Sequence, residues 1–137
     1  MVVRFATNGI GVARDAPAAE VSPIVKLLVE NGADVDAGDS DGISALMWSA
    51  ILGKTGLGAY LIENCADVNR TLSAKDLEGW TALHFAAGHG NIGLAKALLS
   101  AGAKINLPTT KGETPLAVAR RFKQKAMVQF LLQSGAS

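Results

Sequence analysis

Gly79-Trp80-Thr81-Ala82-Leu83-His84-Phe85-Ala86-Ala87 decides how this chain folds, because it does not stand alone. Thirty-three residues on, Gly112-Glu113-Thr114-Pro115-Leu116-Ala117 repeats its opening. Leu98-Leu99-Ser100-Ala101-Gly102-Ala103 likewise returns as Leu131-Leu132-Gln133-Ser134-Gly135-Ala136, at the same spacing of 33. A fixed period of this length marks a stack of small units, none able to bury its apolar face alone.

Counting back from the Gly-Ala ends sets the register. Four units are expected within one domain, at about 1–36, 39–69, 76–106 and 109–137. From Ser44 to Thr81 the spacing is 37, so four extra residues are expected in a polar loop at 70–75. Each unit reads as helix, turn, helix and an extended hairpin-like loop. Ser44, Thr81 and Thr114 suit helix N-caps, and Pro115 suits a first helical turn. Gly53 and Gly90 fall between helices. Ile24-Val25, Leu27-Leu28 and Met127-Val128, Phe130-Leu131 give the stripe of a second helix packed inward. Gly32, Gly102 and Gly135 then close it in the left-handed conformation. Cys65 stands at that position in the second unit, as a strained substitution or a reactive thiol.

The N-terminus breaks the pattern. Placing 9–20 on a first helix puts Pro17 inside it, at a cost of about 3 kcal/mol. The preferred reading makes 1–7 a remnant of that helix and 8–20 an irregular insertion, with the second helix starting at Ser22-Pro23.

The motif Gly-x-Thr-x-Leu-His-x-Ala-Ala, then Gly, Leu-Leu and Gly-Ala-x-Ile-Asn over 76–106 resembles the ankyrin repeat. The resemblance covers roughly 22–137 and implies an all-α solenoid of stacked helix-turn-helix units. It implies that His84 hydrogen-bonds adjoining turns. It also makes Asn69 and Asn106 turn-bracing residues, with modification by asparaginyl hydroxylases as the second reading.

Composition bounds the rest. The net charge of +1 over 137 residues attracts neither nucleic acid nor membrane. The single cysteine excludes an internal disulfide and points to a reducing compartment. No apolar run approaches the roughly 20 residues of a membrane span. The expectation is a monomer in the cytoplasm, with the nucleus as the alternative.

Apparent catalytic motifs fail on spacing. Gly53-Lys54-Thr55 lacks the Gly that a phosphate loop needs five residues earlier, where Trp48 stands. Gly9-Ile10-Gly11 has Arg14 in place of the third Gly of a dinucleotide site. His84 and His89 lie five apart, off a common helix face, so no two-histidine metal site is expected. The run Arg120-Arg121-Phe122-Lys123-Gln124-Lys125 reads as a solvated helix end or a nuclear import signal. No catalytic residue, cofactor or metal is expected.

In ankyrin-like stacks the hairpin tips and the ends of the first helices form a concave surface that grips proteins. The matching positions are Ser40, Asp41, Ile43, Ile51 and Leu52; Leu77, Glu78, Trp80, Gly88 and His89; and Thr110, Lys111, Glu113, Arg121 and Phe122. Trp48 and Phe85 are expected in the core. Partner binding is expected to rest on Ile43, Ile51, Leu52, Leu77, Trp80, His89, Arg121 and Phe122, because large apolar groups there form an interaction patch. The function expected is a non-catalytic module for a protein or peptide partner. The alternatives are a regulatory or targeting part of a larger enzyme or effector, and an engineered binder, which the uneven loop and Cys65 disfavour.

Overall fold

The computed structural model describes residues 23–137. The expectations for 1–7 and 8–20 lie outside the described residues. Among the described residues seven helices follow one another: α1 (Pro23–Glu30), α2 (Ala45–Leu52), α3 (Thr55–Glu63), α4 (Ala82–His89), α5 (Ile92–Ser100), α6 (Pro115–Arg121) and α7 (Lys125–Gln133). Among the described residues no strand forms, only an isolated antiparallel bridge between Gly38 and Ser44. The all-α repeat architecture is as the resemblance implies.

The leading helices start where hydroxyl side chains satisfy free amides. Ser44, Thr81 and Thr114 accept from the N–H groups of Met47, His84 and Ala117, and Pro115 follows Thr114 as the first helical residue. Left-handed Gly53 and Gly90 end α2 and α4. In the fourth repeat the same turn position is held by Lys123, with φ +59°. Cys65 has φ +70° and is exposed, at the helix-end position where the other repeats use glycine.

Two layers result. The leading helices α2, α4 and α6 pack side by side, and each rests on its own following helix. Their facing residues, Leu46, Leu83, Leu116, Leu98 and Leu131 among them, are fully buried. Burial of aliphatic and alanine surface between thin units provides the main driving force, about 25 cal/mol per Å².

Side chains brace one loop to the next. The Asp36 carboxylate accepts the Asp67 N–H at 2.7 Å. Asn69 donates to the Gly102 carbonyl at 3.2 Å and accepts the Lys104 N–H at 2.9 Å. Asn106 accepts the Ser137 N–H at 3.1 Å. Both asparagines therefore brace turns.

The four extra residues enlarge a hairpin tip. In the second and fourth repeats Asp39 and Thr109 donate N–H bonds to the carbonyls of Ile43 and Glu113. In the third, the donor to Trp80 is Leu72, at 2.9 Å, and Gly79 bonds back to Leu72 at 2.8 Å. The tip therefore spans 73–79, overlapping the expected 70–75 only in part. Leu72 is buried at its base, an apolar anchor in a stretch that otherwise reads as polar.

Candidate functional site: a cleft between two hairpin tips

The two tryptophans exchange the places expected of them. Trp80, expected on the open surface, is only 8% exposed, and its ring sits 5.0 Å from Phe85 and 5.7 Å from His84. Trp48, expected in the core, is 39% exposed. Its indole N–H donates to the Asp39 carboxylate at 2.9 Å, and that bond holds the Asp39 carboxyl below its ordinary pKa. The cause is the hairpin residue ahead of each helix. Trp80 folds back over Phe85, whereas the equivalent residue before Trp48 is the smaller Ile43. Phe85 is buried as expected.

The enlarged tip of the third repeat is fastened to the tip of the fourth. The Glu78 carbonyl accepts both the N–H and the hydroxyl of Thr110, at 3.1 and 2.9 Å. Gly79, at φ +85°, makes this approach feasible, since a Cβ there would lie 2.7 Å from the Thr110 nitrogen. Behind the tips, His84 is fully buried. Its Nε2 lies 3.0 Å from the Glu113 carbonyl, which can only accept, so Nε2 carries the proton. Nδ1 then accepts from the Thr81 N–H at 3.1 Å, within a capping box. Burial lowers the His84 pKa, against an opposing effect of the Glu113 and Leu107 carbonyls. The imidazole joins adjoining turns, as the motif implies.

Glu113 carries this order outward. Its carboxylate holds Arg121 through two bonds, Nε–Oε2 at 2.9 Å and Nη2–Oε1 at 3.2 Å. The guanidinium in turn lies 4.9 Å from the centre of the Phe122 ring. Phe122 is 50% exposed. These residues line a cleft of about 460 Å³ together with Asp76, Leu77, Trp80 and Lys111.

Four of the eight expected binding residues thus meet in one place: Leu77, Trp80, Arg121 and Phe122. The other four do not line it. Ile43 and Ile51 are half-buried and pack against the core, which corrects their reading as freely exposed groups. Leu52 is 61% exposed and His89 is exposed. Leu52, His89 and Phe122 share one register position, at the ends of α2, α4 and α6. Asp76 was missed among the candidates. Its signal was the 37-residue spacing, which lengthens the tip that carries it, in a left-handed conformation with φ +72°.

A family model described as ankyrin repeats (3 copies) matches residues 16–109 and 70–137. Neurogenic locus notch homolog protein 1 of Xenopus tropicalis is 38% identical over 105 residues, which is 76% of this chain and 4% of that protein. SH3 and multiple ankyrin repeat domains protein 2 of Homo sapiens is 29% identical over 132 residues, 96% of this chain and 7% of that protein. Inactive serine/threonine-protein kinase TEX14 of Bos taurus is 34% identical over 115 residues, 82% of this chain and 7% of that protein. The chain thus spans less than a tenth of the length of these relatives. Among the described residues no helix is long and apolar enough to cross a membrane.

Proposed function

We propose that this chain, which belongs to the ankyrin-repeat family, is a non-catalytic interaction module that receives a protein or peptide in the cleft between its third and fourth hairpin tips. Ankyrin repeats generally serve as protein-interaction modules, and this reading assigns the contact to named residues. The observation that carries it is the half-exposed Phe122, its ring held in place by Arg121 and Glu113. A prefixed aromatic loses little side-chain freedom on binding, so its burial contributes most of its apolar area to affinity. Leu77 and Trp80 supply the apolar floor. Leu52 and His89 continue the surface along the same register row, with Ile43 and Ile51 as its support. The chain acts as a monomer in the cytoplasm or nucleus.

A second reading follows from the short share of each relative that the chain covers: a targeting or regulatory segment of a larger protein, with catalysis elsewhere. It uses the same cleft. A photo-crosslinking amino acid placed at position 122 tests the site. A partner trapped there, and released by Leu77→Asp but not by Leu132→Ala, supports the cleft. Equal trapping from position 104 on the loop after α5 overturns it.

A further inference from the structure

A second cleft, of about 460 Å³, lies at the turn from α6 to α7, outside the hairpin site. Arg120, Lys123 and Lys125 line it, and Val128 and Gln129 complete it. No carboxylate is among these lining residues. Neighbouring Arg121 differs, because it turns to Glu113 and is neutralised. We propose that this basic cleft docks an acidic peptide segment carrying an aliphatic side chain, the aliphatic group against Val128 and the carboxylates on the three cations.

Three observations favour that occupant. Lys123 takes a left-handed turn position held by glycine in the second and third repeats, so a cation stands there against backbone preference. Gln124 stands where Asn91 caps α5 by accepting the Leu94 N–H. Its own side chain instead donates to the Gly88 carbonyl, and α7 has no side-chain N-cap. The positive end of that helix thus adds to the cationic field. The chain is also polarised: from Arg70 onward nine cations face three carboxylates, whereas 23–69 holds seven carboxylates and two lysines.

The lining selects among anions. A cleft of this size is much larger than one phosphate, and its wall combines Val128 with the alkyl stems of Arg120 and Lys125. It has no aromatic ring on which a base stacks. An acidic peptide with one aliphatic anchor matches both charge and wall.

The test uses the full chain and a fluorescent pool of eight-residue peptides randomised over Asp, Glu, Leu and Val. Polarisation should show saturable binding that weakens when salt rises from about 0.05 to about 0.3 M. The K123E/K125E variant should bind at least about tenfold more weakly, and a pool of Asp, Glu and Gly alone should also bind more weakly. Lys123→Gly serves as the fold control, because it removes the cation while relieving the backbone; its unfolding midpoint should rise and it should still lose affinity. No saturable binding up to about 1 mM overturns the proposal, as does equal binding by K123E/K125E. So does tighter binding of inorganic phosphate, phosphatidylserine vesicles or single-stranded DNA than of the acidic pool. Phe122→Ala should leave this binding unchanged, which keeps its outcome separate from that of the hairpin cleft.

Discussion

Trp80 lies with its ring 5.0 Å from that of Phe85, tilted by 43°, so the hairpin of the third repeat closes onto its own leading helix. Tilted aromatic pairs contribute about 0.5–1.5 kcal/mol beyond their buried area. This contact makes the floor of the hairpin cleft part of the core.

Trp80→Ala should therefore cost about 3–5 kcal/mol of folding stability. Trp48→Ala should cost about 1 kcal/mol, since its ring is far more exposed and its one polar contact is with an exposed carboxylate. Urea denaturation of both variants measures the difference. Equal losses would mean that Trp80 does not cover Phe85 in solution.

Cys65→Gly and Lys123→Gly should each stabilise the fold by about 0.5–1 kcal/mol. Both residues are exposed and left-handed, so glycine removes strain and opens no cavity. The sites are far apart in sequence and belong to different repeats, so the double variant should gain the sum. Denaturant midpoints that fall in either variant would contradict the backbone strain.

His84 should make stability depend on pH above the carboxylate range. Its folded pKa is lowered by burial, while the unfolded chain binds a proton near about 6.5. The unfolded state then holds more protons between the two values. Stability is full above about pH 6.5 and falls as the solution is acidified toward the folded pKa. His84→Gln should flatten that slope between about pH 7 and pH 5, and cost about 2 kcal/mol at pH 7 through unsatisfied partners. Urea titrations at each pH provide the measurement.

Gly79→Ala should separate the third and fourth tips. The new methyl would meet the Thr110 nitrogen at 2.7 Å and the Thr109 Cα at 2.9 Å, both backbone atoms that cannot rotate away. The positive φ adds its own strain of about 1 kcal/mol. A loss of at least about 2 kcal/mol is expected, with faster amide exchange at Thr110. A variant as stable as the parent would show that the tips are free of each other.

The period, the caps at Ser44, Thr81 and Thr114 and the glycine helix ends were legible in the sequence because each follows from local backbone chemistry. The binding residues were legible only as positions. Register puts Ile43, Trp80 and Glu113 in one structural row, but it does not say which side chain is large enough to fold back on the helix behind it. Trp80 is, and so the exposed and buried tryptophans exchanged places. The extra tip was visible as four residues too many. That Leu72 anchors it could not be read, because a lone leucine in a polar stretch has no periodicity. The chain from His84 through Glu113 to Arg121 joins residues 29 and 8 positions apart, across a turn that no helical pattern relates.

The bonds that brace one repeat to the next also set a length scale. Asp36 to Asp67, Asn69 to Gly102, His84 to Glu113 and Asn106 to Ser137 join residues between 29 and 33 positions apart. None of these bridges reaches beyond the neighbouring unit, so the fold closes through loops of about one repeat. Order can then begin in any adjacent pair and spread outward, and a pulling force applied to the two ends would peel units away in sequence instead of rupturing the whole at once.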